Sequence, residues 1–127
     1  MKHAFAFLLA LGAAACAACA PRAPATLLRI GPDGTATVEG TVLENNLGCT
    51  HDLACFLRLD LDGADLRIDY HRGESPPCLD RNVARQGVKI APGTRVRAAG
   101  RYRRAGALHV LDVCMAPGAV LTALPPG

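Results

Sequence analysis

Six cysteines and four histidines carry most of the chemistry this chain could do. Four of the cysteines, Cys49, Cys55, Cys78 and Cys114, fall in the body of the chain. Thiols pair as disulfides, bind soft metals or act as nucleophiles, and their surroundings decide which. Cys49, His51, Cys55 and a fourth ligand at Cys78 could hold zinc or copper, although Cys-x-His-x-x-x-Cys is not a standard zinc spacing. Signs of an enzyme are missing: there is no Gly-rich phosphate loop, no Ser-x-x-Lys and no Gly-x-Ser-x-Gly. Asp69, His71 and Glu74 invite an acid/base reading but have no nucleophile beside them. The chain therefore reads as non-enzymatic, with no cofactor.

The compartment weighs on the cysteines. Lys2 gives a short basic start, Phe5 to Leu11 is an apolar run, and small residues follow. This is the pattern of a secretory leader, too short for a membrane-spanning helix of about 20 apolar residues. Ala13-Ala14-Ala15-Cys16 resembles a bacterial lipobox, with Cys19 as the rival lipidated residue. We therefore expect residues 1–18 to be leader and lipobox, residues 19–34 a tether with a short leading strand, and residues 35–124 a single domain. The expected location is the periplasm or the envelope membrane, reached through a lipid anchor. In an oxidising compartment an even set of four cysteines points to disulfides, and spacing alone leaves three connectivities open.

Charge is less informative. Lys and Arg together number 14 against 11 acidic residues, a formal net charge of +3, too small to imply a polyanionic partner. The basic residues are nearly all Arg, and four of them, Arg95, Arg97, Arg101 and Arg103, share one face of a predicted strand. That stripe is either a solvated face neutralised by Glu39 and Glu44 or a ligand-facing surface, to which Phe56 and His71 could contribute. Nucleic-acid binding is the minor alternative, because stacking aromatics are scarce and Tyr70 and Tyr102 fall on inward positions.

The elements that must position these residues are short strands. Leu57, Leu59 and Leu61 alternate with Arg58, Asp60 and Asp62, and Leu66, Ile68 and Tyr70 alternate with Arg67, Asp69 and His71. Period-two alternation marks strands with one buried face, and Asp62-Gly63 between them signals a two-residue hairpin turn. Strand one is expected over Thr35 to Glu44, with Gly40 suggesting a bulge or bend. Strand two is expected from Ala54 to Leu61 and strand three from Ala64 to His71. Ser75 before Pro76 suggests the start of a short helix over Cys78 to Gln86, with Leu79 and Val83 as its apolar edge. Strand four is expected over Thr94 to Arg103, strand five over Ala107 to Cys114, and a short run at Ala119 to Leu124 ends the chain.

Three strands, a short helix and two strands is an order similar to that of the OB-fold, a five-stranded Greek-key barrel. The segments that carry the resemblance are VEGTVLE, the Asp-Gly hairpin, KIAPGTRVRAAGRYR and ALHVLDVC. The chain resembles small exported bacterial OB-fold proteins. That resemblance implies a mainly β barrel with one helix between strands three and four. It also implies a module that binds a protein or glycan of the cell envelope, to which the Cys/His cluster sets a periplasmic metal-handling protein as the alternative. In the OB order the four cysteines meet at one pole, with strands three and five side by side, which favours Cys78–Cys114 and Cys49–Cys55.

Overall fold

The structure, a computed structural model, describes residues 24–49, 54–72 and 77–126. The leader with Cys16 and Cys19 lies outside them, as do His51, Asp52, Glu74 and the Ser75-Pro76 pair. The described chain is mainly β. Its strands are β1 (Leu27–Ile30), β2 (Thr35–Thr41), β3 (Glu44–Asn46), β4 (Ala54–Leu61), β5 (Ala64–Arg72), β6 (Arg95–Ala105), β7 (Leu108–Asp112) and β8 (Val120–Ala123). One helix, α1 (Arg81–Gly87), stands between β5 and β6.

The strands form one sheet in the order β1-β2-β6-β7-β5-β4-β3, with β8 added to β6. Five barrel strands with a short leading strand and a short final run were expected, and eight strands are present among the described residues. The predicted first strand is two, because Val42 and Leu43 part from one ladder to reach another. The Val42 amide donates to the Thr94 carbonyl at 2.9 Å and the Leu43 amide to the Arg58 carbonyl at 2.8 Å. The sheet path thus has two ends, at β1 and β3. Pairing is antiparallel except between β5 and β7, which run parallel with Leu66 beside His109 and Asp69 beside Asp112. β6 changes neighbour midway: β8 pairs with Val96 to Ala99, and β7 takes over from Arg101.

Alternation explains which residues enter the core. Leu57, Leu59, Leu66 and Ile68 are fully buried, together with Val38, Val42, Val96, Ala98, Leu111 and Val113. The Asp-Gly turn sits where expected, with φ of 51° at Asp62 and 87° at Gly63, so both turn positions are left-handed. Gly40 needs a different explanation from the one expected. It stays in regular register opposite Val96, and a Cβ there would lie 2.7 Å from Thr26 Oγ1 and 2.9 Å from Leu59 Cδ2. Close packing, not a bulge, requires glycine at this point.

The helix also departs from expectation. It begins at Arg81, later than predicted, because Asp80 supplies the cap, its side chain accepting from the Asn82 amide at 2.8 Å. Leu79 precedes the helix and is 59% exposed, so the inner edge is Val83 and Gly87. The helix end is clamped to the sheet by one side chain. Asn45 Nδ2 donates to the carbonyls of Gly87 and Ile90, both at 2.9 Å, while Asn45 Oδ1 accepts from the Tyr70 hydroxyl at 2.6 Å. The fully buried Tyr70 ring packs flat beneath Gly87, so that a methyl group on Gly87 would enter the ring.

Two substitutions test this description by thermal melting. Gly87→Ala should cost about 1–3 kcal/mol, because Tyr70 is held by its hydroxyl and cannot yield. Gly63→Val should destabilise by about 1 kcal/mol or more, since a β-branched residue is strained at positive φ. An unchanged melting temperature in either variant would contradict the geometry.

Candidate functional site

All four body cysteines gather at the end of β5. Cys49 is bonded to Cys55 and Cys78 to Cys114, with Cα atoms 4.6 and 4.4 Å apart. This is the pairing the strand order favoured. The parallel β5–β7 contact produces the second bridge: the Val113 amide donates to the Asp69 carbonyl at 3.0 Å and the Leu79 amide to the Cys114 carbonyl at 2.9 Å. Cys78 Sγ lies 3.1 Å from the Tyr70 carbonyl oxygen. Cys78 and Cys114 are both buried, whereas Cys49 is half-exposed beside a buried Cys55.

A bulge places His71 among the cysteines. Phe56 pairs with Asp69 and Cys55 with His71, so Tyr70 and His71 together oppose Cys55. Strict alternation would have set His71 opposite Ala54, on the outer face with Asp69. The extra residue instead turns the imidazole toward Cys49, whose Sγ lies 3.6 Å from His71 Nδ1. His71 is thus a member of the cysteine pole, where the strand order already allows it beside His51 and Asp52, although simple alternation sets it on the outer face with Asp69. The proposed ligand set Cys49, His51, Cys55 and Cys78 changes accordingly. His51 lies outside the described residues, Cys78 is bonded to Cys114, and the atoms brought within 4.8 Å of one another belong to Cys49, Cys55 and His71.

The arginine stripe divides into two halves. Arg95 and Arg97 share Glu39, at 3.4 and 3.1 Å, and the hydrogen bond from Arg97, helped by its charge and by Arg95, lowers the Glu39 pKa from its ordinary value despite some burial. Glu44, the other expected acidic neighbour, pairs instead with Arg58 at 3.0 Å. Arg101 and Arg103 are exposed and form no ion pair among the described residues. Beside Arg97 a surface groove of about 320 Å³ is lined by Leu27, Arg29, Thr37 and Glu39.

The Arg67 guanidinium lies over one face of the Phe56 ring, 3.9 Å from its centroid. The same guanidinium pairs with Asp69 at 3.2 Å. Asp69 is 3% exposed, and burial raises its pKa above the ordinary 3.8 despite Arg67, with Asp112 adding a like charge. Tyr70 points into the core and Tyr102 is half-buried, its hydroxyl 2.7 Å from His109 Nδ1. The sequence sets Arg67 on the outer face with Arg58, opposite Asp60 and Asp69 as charge partners; what it does not reveal is the reach of Arg67 to Phe56 across β4 and β5.

No family model, curated protein or solved structure matches this chain.

Two outcomes are expected. Loop-closure entropy gives about 3.8 kcal/mol for the bridge of separation 36 and about 2.4 kcal/mol for that of separation 6. Urea unfolding should therefore find Cys78→Ser/Cys114→Ser less stable than Cys49→Ser/Cys55→Ser; the reverse order would contradict the loop argument. Asp69 should act through pH. Its folded pKa is raised, so the fold binds the proton more tightly and loses stability as pH rises from 3.8 through the folded value. Asp69→Asn should melt above the wild type at pH 7, and the gap should close below pH 3.8. A gap independent of pH would show that the carboxylate is not under strain.

Proposed function

We propose that this protein is an exported, non-enzymatic binding module of the cell envelope. It is tethered by lipid on Cys16 or Cys19 and recognises an anionic group on an envelope protein or glycan through the outer face of β6. The observation that carries this reading is the division of the arginines. Arg95 and Arg97 are neutralised by Glu39, whereas Arg101 and Arg103 stand exposed without an ion pair among the described residues, on the strand whose other half borders the groove at Arg97. Exposed guanidinium groups present donors in a fork that suits carboxylates, sulfates and phosphates.

Export is supported by two disulfides in a small domain. No helix among the described residues is long and apolar enough to cross a membrane. An OB-like architecture is supported by treating β2 and β3 as halves of one bent strand. They are separated by Val42 and Leu43 and pair with β6 and β4 respectively. With β1 and β8 counted as additions at its edges, the order then becomes that of five strands with β5 and β7 parallel. A nucleic-acid ligand fits less well, because Arg67 covers one face of Phe56 and Tyr70 faces the core.

The test is capture from envelope extract at low salt with the mature domain, comparing wild type with Arg101→Glu/Arg103→Glu. Recovery of the bound species should fall about tenfold or more in the variant and also fall with added salt. Equal recovery by both proteins, with the variant's melting temperature unchanged, would reject the β6 face as the binding surface.

A further inference from the structure

The cysteine pole holds a second chemistry that the binding reading does not use. A β-bulge in β5 directs His71 at the Cys49–Cys55 disulfide. Its Nδ1 lies 3.6 Å from Cys49 Sγ, and the ligand atoms of Cys49, Cys55 and His71 are all within 4.8 Å of one another. Metal–sulfur bonds of about 2.3 Å and metal–nitrogen bonds of about 2.0 Å place S and N about 3.5–3.7 Å apart for angles from tetrahedral to trigonal. The imidazole therefore already stands at ligand distance from the nearer sulfur.

We propose that Cys49, Cys55 and His71 form a redox-gated site for Cu(I), closed while the Cys49–Cys55 bridge is intact and created when a dithiol reductant opens it. In the opening step the reductant gives up two electrons and two protons and becomes a disulfide. The Cys49–Cys55 S–S bond breaks and two thiols form. Binding then releases the two thiol protons as the sulfurs become thiolates, and the metal joins two sulfurs and one neutral imidazole nitrogen.

Three features favour this site and this metal. Cys55 and His71 are register partners across β4 and β5, so two of the three ligands are fixed by a ladder. Cys49 lies outside any strand and is half-exposed, so it is the sulfur that a reductant can reach and that can separate from its partner. The Cys78–Cys114 bridge is buried and survives to hold β5 and β7 in place. Two soft thiolates and one imidazole suit Cu(I), which accepts three ligands, whereas Zn(II) seeks four. The conditions that open the bridge are also those that keep copper reduced.

The test uses the whole mature protein without oxygen. Limited phosphine treatment is followed by alkylation mapping, and then by titration with Cu(I) against a bicinchoninate competitor. The expected result is that Cys49 and Cys55 are alkylated first and that the reduced protein binds one Cu(I) per chain while the oxidised protein binds none. X-ray absorption should show two sulfurs and one nitrogen around copper. His71→Ala, with an unchanged circular dichroism spectrum, should weaken binding by about 10–100-fold. Four results would each overturn the proposal: copper bound equally by the oxidised protein, prior opening of Cys78–Cys114, no copper bound after reduction, or unaltered affinity in His71→Ala. None of these readouts depends on capture by the β6 face, so the two readings succeed or fail separately.

Discussion

One extra residue in β5 decides the character of this molecule. Up to Asp69 the β4–β5 hairpin alternates without interruption, sending leucine and isoleucine inward and charge outward. Tyr70 then has no partner of its own, and the strand shifts register by one. A bulge twists a strand and re-aims the side chains beyond it. Here Tyr70 enters the core as its largest fully buried side chain, and His71 comes to face the sulfurs. The carbonyl of Tyr70 meets Cys78. The helix clamp, the imidazole and one sulfur of the second bridge therefore all depend on a single irregularity.

The clamp matters because the core is made mostly of aliphatic side chains. With no tryptophan and three phenylalanines in the whole chain, Tyr70 supplies much of the large buried area on its side of the sheet. Its hydroxyl must find a partner there, and Asn45 provides one while using its own amide protons to satisfy the carbonyls at the helix end. A hydrogen bond of this kind contributes about 1 kcal/mol net, but a buried group left without one costs about 1–3 kcal/mol. The clamp thus acts mainly by leaving nothing unsatisfied where the helix meets β3 and β5. The two bridges then tie the same region covalently, and a domain of this size has reason to use them.

Much of this was legible from sequence, and the misses have definite causes. Leu57 to Tyr70 alternates so cleanly that the hairpin, its turn and its inward face could be read directly. The same regularity hid the bulge, because Asp69, Tyr70 and His71 continue the pattern polar, apolar, polar. Alternation accordingly sets His71 on the outer face, although the strand order already allows it at the cysteine pole where it is found. Ser75-Pro76 and Leu79 suggested an early helix start, but Asp80 caps a later one and Leu79 remains in solvent. On β6 the stripe of arginines and Glu39 as its neighbour were evident, but the register with β2 was needed to show that Glu39 takes Arg95 and Arg97 while Glu44 goes to Arg58. Phe56 looked like an open stacking surface until Arg67, across the ladder, was seen to occupy one face of it.

The parallel contact between β5 and β7 has a consequence for how the chain acquires its shape. β4 and β5 are joined by two residues and can pair as soon as both exist, whereas Leu66 must wait for His109. Until β7 arrives, β5 and the far half of β6 each present an open edge, and the segment that closes both belongs to the last fifth of the chain. Contacts this distant in sequence form slowly, and open edges recruit other chains. The interval between synthesis of β6 and docking of β7 is when this protein is most exposed to aggregation. A chaperone that shields strand edges would act on it there, before either buried sulfur of the Cys78–Cys114 pair can meet its partner.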